Sequence, residues 1–426
     1  MVLYIKNATF IDWENLEFKK TNIKVEQGLN GKIKFIDSIP DVKNRIDNNI
    51  KIIDAKEKLV TKSFGCGHHH IYSALARGMP APIKTPENFL EILKYVWWNL
   101  DKNLDSDMIK ASALCSALFC ARNGVTFVID HHSSPFSIDN SLFLIKEAFE
   151  AVGISSLLCY ELSDRDGKTA RDKGLVETEN YLKAGNQGHV GLHASFTVQD
   201  SLLKKAVTLA KKYNTGIHVH VAEGIADQNK CLKNYNKRVI QRFKDSGMLD
   251  FSKTILSHCI HLNNDEKNIL KNSNVWIAEN IESNLNNNVG VTDYSKYGSN
   301  IMLGTDGMHC DMLRSAKAAF FVGQGTEKIS YPEIYARFRN IHKFLSKNQY
   351  NGDGDNNLVI LDYNTPTEIN QDNFLGHFVF GIESSHVASV ISSGKLIIED
   401  KKLLTYNEQD ILSFSKEMAH KLWKKL

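Results

Sequence analysis

The sequence predicts an α/β protein whose main body is a (β/α)₈ TIM barrel, with a small β-sandwich domain built from both termini. Between about residue 60 and residue 325, short apolar runs alternate with longer amphipathic stretches, whereas the two ends of the chain are β-rich. Repeated strand–helix units are typical of a parallel sheet, and about eight of them favour a closed barrel. An open doubly wound sheet is the alternative, but no glycine-rich first turn supports it.

The two ends of the chain have the pattern of one small β-rich module. LYIKNATFI, NIKVEQG and KIKFIDSI are short β-rich runs separated by polar turns, and KIIDAKEKLV continues them. The chain returns to this pattern with NNLVILDY, HVASVISSGKLIIED and KKLLTY, before a closing helix in NEQDILSFSKEMAHKLWKKL. We therefore expect residues 1–58 and 355–426 to form the β-sandwich beside a barrel of residues 59–354, with KNQYNGDGDNN as the connecting loop.

The predicted barrel contains eight strand candidates, which are LVTKSFGCG, GVTFVID, GISSLLCYE, VGLHASF, GIHVHVAE, TILSHCI, NVWIAEN and NIMLGTD. Helical patterns between them include NFLEILKYVWWNLDKNL, DMIKASALCSALFCARN, SLFLIKEAFEAV, SLLKKAVTLAKKY and KRVIQRFKDSGML. Barrels of this type carry their catalytic groups at the C-terminal ends of the strands. The polar residues at these ends are His68 to His70, Asp130 to His132, Glu161, His193, His220, Glu223, His258, Glu279 and Asp306.

Composition excludes several classes of function. The 426 residues carry a formal charge of +3, which is too balanced for a nucleic-acid or membrane surface. Seven scattered cysteines without a CxxC pair argue against a disulfide framework. The first residues lack the apolar segment of a signal peptide, and no stretch is long enough to span a bilayer. We expect a cytoplasmic protein.

Three consecutive histidines, His68 to His70, end the first barrel strand in GCGHHHIYS. Successive side chains point to opposite faces of a strand, so His68 and His70 share one face and His69 takes the other. A metal ion needs convergent imidazoles, so this run is predicted to bind metal through His68 and His70. A loop cluster without a role is the alternative, and the run alone does not decide between them.

The segment HVHVAE, residues 218–223, repeats this pattern. His220 can supply a third ligand, and Glu223 stands where the strand gives way to a loop, within reach of a metal-bound water as a proton shuttle. The alternative for Glu223 is an acid that stabilises a helix N-terminus. His218 shares a face with His220 but lies one pleat deeper, where a core histidine is expected.

The segment LGTDGMH ends the last barrel strand with Asp306. A carboxylate at the barrel mouth completes a site of three histidines and one aspartate with an open position for water. Capping of the next helix is the alternative, and Asp306 taken alone favours it. The combination favours the metal site, because independent strand ends each offer one ligand.

Other polar residues near the mouth are predicted to act around the metal. His258 in SHCIHL is placed to polarise a substrate or the attacking water. His193 and Arg77 are candidates for substrate contact, whereas His131 and His132 are interpreted as supporting residues. Thiolate ligands are not expected, since they usually occur in closely spaced sets and no such set is present.

In this order, HHHIYSALARG, HVHVAE, SHCIHL, SNLNNNVG and LGTDG resemble the amidohydrolase superfamily, and more closely its deaminase and chlorohydrolase branch. WWNLDKNLD, GVTFVIDHHSSP, DYNTPTEI and GHFVFGI are similar to the SsnA group of aminohydrolases. The resemblance runs from about residue 2 to the end of the chain. It implies a hydrolase of carbon–nitrogen bonds other than peptide bonds, which deaminates a cyclic amidine or related heterocycle on a barrel with a terminal β-sandwich.

The resemblance also implies the roles of the site residues. Glu223 carries a proton to the ring nitrogen and then to the leaving group, Asp306 accepts the water proton, and His258 orients the nucleophile. Attack on a ring carbon gives a tetrahedral intermediate that expels ammonia. One divalent ion, zinc first and iron second, is held by His68, His70, His220 and Asp306. The residues implied near the substrate are Arg77, His193 and Asn284.

Two positions depart from the superfamily pattern. Lys62–Ser63 stands where a Pro-Gly pair is usual, and Glu279–Asn280 replaces a His-Asn pair. The first change is expected to alter the backbone near the metal loop, and the second to place an anion beside the site. Neither removes a predicted ligand. The Trp97–Trp98 pair is interpreted as packing rather than as a binding platform.

Alternatives to deamination remain open at the level of sequence. The same scaffold can open a cyclic amide or displace another leaving group, and a non-catalytic family member would keep the fold. No lysine stands at a strand end, where a carboxylated bridge between two metals requires one. The partner implied is a small heterocyclic substrate, with no nucleic acid or membrane, and a homodimer is allowed.

Overall fold

The computed structural model describes residues 2–40 and 50–426. Its strands are β1 (Val2–Ile11), β2 (Phe18–Val25), β3 (Ile33–Ile36), β4 (Ile50–Asp54), β5 (Leu59–Lys62), β6 (Phe64–His69), β7 (Val125–His132), β8 (Ser155–Leu162), β9 (Val190–Ala194), β10 (Ile217–Val221), β11 (Ile255–His258), β12 (Trp276–Glu279), β13 (Ile301–Leu303), β14 (Leu358–Leu361), β15 (Val387–Ser392), β16 (Lys395–Glu399) and β17 (Lys402–Leu403). Its α-helices are α1 (Phe89–Ile92), α2 (Trp98–Lys102), α3 (Ser106–Arg122), α4 (Ser141–Val152), α5 (Gly167–Lys183), α6 (Asp200–Lys212), α7 (Ile225–Tyr235), α8 (Val239–Asp245), α9 (Asn264–Lys271), α10 (Ile281–Asn286), α11 (Met312–Thr326), α12 (Tyr331–Lys347), α13 (Phe374–Phe380) and α14 (Glu408–Trp423).

Strands β6 to β13 form an eight-stranded sheet whose spatial order follows the chain. Neighbouring strands are parallel throughout. The sheet closes on itself because a parallel bridge joins His69 to Asp306, and the His68 carbonyl accepts the Thr305 N–H at 3.0 Å. The predicted (β/α)₈ barrel is confirmed, and all eight predicted strands are present.

The two ends of the chain meet in a second, mixed sheet of nine strands. Its order is β17-β16-β15-β14-β5-β1-β2-β3, with β4 also paired to β1. The sheet has an apolar core of its own, to which β1, β2, β14 and β15 contribute. The predicted module from both termini is therefore confirmed. Residues 59–62, which the sequence assigns to the barrel, pair instead with β1 and β14 in this sheet.

The predicted helix over residues 88–104 is divided in the structure. A π-helical turn, Leu93–Trp97, separates α1 from α2. Turns of this kind are frequent at functional sites, since they alter which side chains face inward. This one ends at the tryptophan pair and lies against the cavity described below.

The closing helix α14 supports the loop that follows the histidine run. It packs on α3 and on the 3₁₀ turn Ile71–Ala76. The Trp423 indole N–H donates to the Leu75 carbonyl at 2.8 Å, and the Ser415 hydroxyl donates to the Ala111 carbonyl at 3.3 Å. The C-terminus of the chain thus holds a segment at the barrel mouth.

Lys62 binds the loop between the barrel and the last sheet strands. Its ammonium group donates to the carbonyls of Asp353 and Gly354 at 2.7 and 2.5 Å, and lies 3.2 Å from the Asp353 carboxylate. Lys62 ends β5 in the mixed sheet, whereas His68 lies near the end of β6 in the barrel. The effect of Lys62–Ser63 on the metal loop stays a prediction.

Replacing Lys62 by methionine is expected to lower the free energy of unfolding by about 3–5 kcal/mol, because the buried Asp353 carboxylate loses its lysine partner. Urea titration followed by circular dichroism measures the effect. Lys56 is the matched control, since its side chain is 75% exposed. Lys56→Met is expected to change stability by less than about 0.5 kcal/mol. Equal effects of the two substitutions would contradict the assigned role of Lys62.

All seven cysteines are buried and unpaired. Within residues 2–40 and 50–426, no helix combines the length and the hydropathy that crossing a membrane requires.

Candidate active site

The four residues predicted as metal ligands converge at the C-terminal ends of the barrel strands. His70 Nε2 lies 3.0 Å from Asp306 Oδ1 and 3.1 Å from His220 Nε2. His68 Nε2 lies 3.5 Å from the same Asp306 oxygen. For ligands bound at about 2.0–2.1 Å in a tetrahedron, the ligand atoms stand about 3.4 Å apart. The cluster thus has the dimensions of a single cation site.

Hydrogen bonds through Nδ1 direct each ligand histidine toward this cluster. The Nδ1–H groups of His70 and His220 donate to the carbonyls of His131 and His193, at 2.6 and 2.8 Å. With Nδ1 bonded to a carbonyl, each ring presents Nε2 to the cluster. His68 Nδ1 contacts His218 Nε2 at 2.9 Å. His218, expected in the core, therefore holds the ring of a predicted ligand in place.

His69 points away from the cluster. Its Nδ1 lies 2.9 Å from Thr305 Oγ1, and its Nε2 lies 3.7 Å from Cys310 Sγ. His69 therefore lies on the opposite face of the strand from His68 and His70, as the alternation of side chains along a strand predicts.

The cluster also has the chemistry that a divalent cation needs. His68 Nε2 and His258 Nε2 are buried and have no hydrogen-bond partner among the described residues. Burial lowers the pKa of His68 and of His220 well below the usual range, so both rings are neutral, which is the form that binds metal. Three overlapping groups of candidate ligands all contain His220: His68, His220, His258 and Asp306; His70, His131 and His220; and Glu161, His193 and His220.

Glu223 and His258 lie beside the cluster. Glu223 Oε2 is 3.6 Å from His258 Nε2, and Asn287 Nδ2 donates to Glu223 Oε1 at 3.3 Å. Burial raises the pKa of Glu223 to about 7, which suits a group that takes up and releases a proton near neutral pH. The Ser283 hydroxyl donates to Asp306. Ser283 lies in α10, four residues before Asn287, which follows the end of that helix.

Strained backbone accompanies these side chains. His258 and Asp306 have φ angles of 71° and 51°, and Ala222 and Cys259 beside them have 44° and 55°. Residues other than glycine rarely adopt this left-handed region, and it persists where the surrounding structure enforces it. The barrel thus fixes the direction of both side chains at a cost in backbone energy.

A cavity lined by His70, His220 and Asp306 opens at the cluster. Trp97 and Trp98 both line it, and Trp97 also packs against the apolar core of the barrel, as the interpretation of this pair as packing expects. His193, for which substrate contact stays a prediction, also lines the cavity. The polar residues of the wall that received no role from the sequence are Tyr72, Ser73, Asp101, Glu161, Arg165, Ser283 and Asn287. Glu161 stands at the end of a barrel strand. That position was the one feature of the sequence that could have indicated its place in the cavity wall.

Three sequence expectations need correction. Arg77 follows the 3₁₀ turn outward and lies 5.0 Å from the Phe119 ring, outside the cavity lining. Asn284 is not in the lining either, but its Oδ1 accepts from His258 Nδ1 at 2.7 Å. Glu279 does not place an anion beside the site, because it forms a buried ion pair with Arg337 at 3.0 Å.

Asn284 is a positioning residue, since it acts through His258. Asn284→Ala is expected to lower kcat by about 10–100-fold with little change in KM or in bound metal. Asn284→Asp retains an acceptor for the His258 N–H and is expected to recover most of kcat. Steady-state kinetics with metal analysis measure both variants. Loss of metal in Asn284→Ala would show a ligand-site role instead.

Comparison with known proteins places these residues in a family. The amidohydrolase family model matches residues 60–337. The chain is 26% identical over 428 residues to 5'-deoxyadenosine deaminase of Methanococcus vannielii, covering 95% of this chain and 97% of the relative. It is also 26% identical over 438 residues to 5-methylthioadenosine/S-adenosylhomocysteine deaminase of Caldanaerobacter subterraneus, covering 96% of each.

Solved structures show the same fold. An adenosine deaminase from Xanthomonas campestris with bound zinc superposes with a TM-score of 0.82 at 14% identity, covering 99% of this chain and 98% of the other. The atrazine chlorohydrolase TrzN from Arthrobacter aurescens, complexed with zinc, gives a TM-score of 0.80 at 13% identity, covering 98% of this chain and 100% of the other. The narrower resemblance to the SsnA group stays a prediction. The match over most of the barrel shows that this chain belongs to the amidohydrolase family, as a hydrolase of carbon–nitrogen bonds other than peptide bonds.

Proposed function

We propose that this chain is a metal-dependent deaminase, which hydrolyses a carbon–nitrogen bond of a cyclic amidine or related heterocycle and releases ammonia. One observation supports this most. A single cavity is lined both by His70, His220 and Asp306 and by Glu223, whose raised pKa suits proton transfer. The deaminase relatives, which align over almost their whole length, support the same reaction class.

We propose that His68, His70, His220 and Asp306 hold one zinc ion, with iron as the second choice. Three imidazole nitrogens and one carboxylate oxygen suit either metal. When bound, a divalent cation lowers the pKa of a coordinated water and polarises the substrate.

The remaining steps belong to protein side chains. Asp306 accepts a proton from the attacking water, and His258, with Nε2 at 3.6 Å from Glu223 and 3.9 Å from Asp306, orients that water between the two carboxylates. Glu223, protonated at the outset, gives its proton to the ring nitrogen. It then passes the proton that Asp306 took from the water to the departing amine, and takes up the hydroxyl proton of the intermediate as ammonia leaves. Asn287 and Ser283 hold the two carboxylates in position.

The proposal is tested with purified protein, by elemental analysis and by ammonia release from a panel of amino-substituted heterocycles. About one zinc per chain and ammonia release support it. A ring-opened product without ammonia would indicate hydrolysis of a cyclic amide, and the absence of both metal and turnover would indicate a non-catalytic protein.

Removal of the metal is expected to abolish activity and leave the barrel folded. The barrel core is apolar and extends over many residues outside the cluster, so the fold does not depend on the ion. Dialysis against a chelator, followed by kinetics and circular dichroism, measures both effects, and added zinc restores activity. Unfolding upon chelation would contradict this expectation.

A further inference from the structure

The cavity wall contains charged groups that the proposed chemistry does not use. Asp101, Glu161 and Arg165 all line the cavity, and their side chains are 2%, 3% and 7% exposed. Among the described residues, no contact within 4.0 Å joins Arg165 to Glu161. A buried acid and a buried base that share a cavity wall without pairing leave hydrogen-bonding capacity for a ligand.

Arg165 is held firmly but incompletely. Its Nη2 donates to Asp101 Oδ2 at 2.6 Å, its Nε donates to Asp166 Oδ2 at 2.7 Å, and its guanidinium carbon lies 5.0 Å from the Trp98 ring centroid. Nη1 of Arg165 and Oδ1 of Asp101 have no partner among the described residues. The Arg165–Asp101 ion pair therefore has one unpartnered hydrogen-bond donor, Nη1, and one unpartnered acceptor, Oδ1.

The charge of this wall does not favour an anionic ligand. Two aspartates pair with Arg165, and Lys102 pairs with Asp166 at 2.9 Å. With Glu161, three carboxylates face two cations. Arg165 therefore offers a hydrogen-bond donor rather than an uncompensated positive charge.

Glu161 adds a second acceptor. Its Oε2 lies 3.4 Å from His131 Nδ1, and among the described residues this is the one ion-pair contact of its carboxylate. It shares the wall with His193, which lies at the end of the neighbouring strand. Acceptors and a donor thus line the same cavity.

Resting on the proposed function, we propose that Asp101, Glu161 and Arg165 determine specificity by binding a neutral heterocycle that carries adjacent ring N–H and carbonyl groups. Arg165 donates to the carbonyl oxygen, while a carboxylate accepts from the ring N–H. An amino-substituted oxo base presents this edge together with the amino group that is hydrolysed. Adenine and its nucleosides lack a ring carbonyl and would leave Arg165 Nη1 unpartnered, which is unfavourable for a buried donor.

Binding separates this inference from the proposed function. Zinc-loaded Glu223→Gln protein is titrated by calorimetry with cytosine and guanine, which carry the amide edge, and with adenine and 5'-deoxyadenosine, which do not. The oxo bases are expected to bind about 10–100-fold more tightly. Equal or tighter binding of the adenine compounds overturns the inference, even where ammonia release by the unmodified enzyme supports deamination.

Substitutions in the wall identify the residues responsible. Arg165→Lys keeps a cation between its aspartates but lacks Nη1, and Glu161→Gln keeps the shape of the side chain without its charge. Each is expected to raise KM for the oxo base by about tenfold or more, with a smaller change in kcat and unchanged zinc. Asp172→Asn, at an exposed position of α5, is the control and is expected to leave KM unchanged. Wall variants with unchanged KM would overturn the inference.

Discussion

Replacing Glu223 by glutamine is expected to lower kcat by about 10²–10⁴-fold, the usual contribution of a general acid–base group. Glutamine occupies the same space and keeps the hydrogen bond to Asn287, but it cannot carry a proton to the ring nitrogen or to the leaving amine. Steady-state ammonia release measures the loss. Zinc content is expected to stay the same, since Glu223 is not among the four proposed ligands.

A second glutamate provides the control for this change. Glu417→Gln, on α14 with its side chain 59% exposed, removes the same charge at a position outside the cavity lining. It is expected to retain full turnover. If Glu223→Gln also retained turnover, proton transfer would have to be assigned to another group, and His258 would be examined next.

Replacing Asp306 or His220 by alanine is expected to lower zinc affinity by more than about 100-fold and to reduce turnover to background. Asp306 lies within 3.5 Å of both His68 and His70, so its loss also leaves two imidazoles without their shared carboxylate. Elemental analysis after dialysis against a metal buffer measures affinity. Circular dichroism verifies that each variant folds.

His69→Ala is the matched control, because it removes the middle histidine of the same run. Its ring contacts Thr305 and Cys310 on the other side of the strand, so zinc binding is expected to remain within about tenfold of the unmodified protein. Equal metal loss in His69→Ala and His220→Ala would contradict the assignment of His69 to the strand face away from the metal.

Local patterns predicted the fold and the metal cluster because both depend on short-range periodicity. Each barrel strand is a short apolar run, and a parallel barrel gathers the C-terminal ends of its strands at one rim. Once that fold is assumed, His68, His220 and Asp306 must lie near one another, although they are distant in sequence. Alternation along one strand then separates His69 from its two neighbours.

Partners remote in sequence could not be predicted in the same way. Glu279 turns away from the site because Arg337, which lies on a later helix, pairs with it, and no pattern around either residue indicates the other. Lys62 binds a loop 291 residues further along the chain. Asp101 and Arg165 likewise meet across two strands of the barrel, so the polar wall of the cavity emerges only from the assembled structure.

The bridge between His69 and Asp306 has a consequence for synthesis of the protein. The first and last barrel strands lie side by side at the proposed cation site, so a nascent chain exposes its histidine run long before the ribosome has added Asp306. Until then the imidazoles have no fixed carboxylate beside them. Selective capture of the ion is therefore a late event, which must follow translation of the final strand and its exit from the ribosomal tunnel.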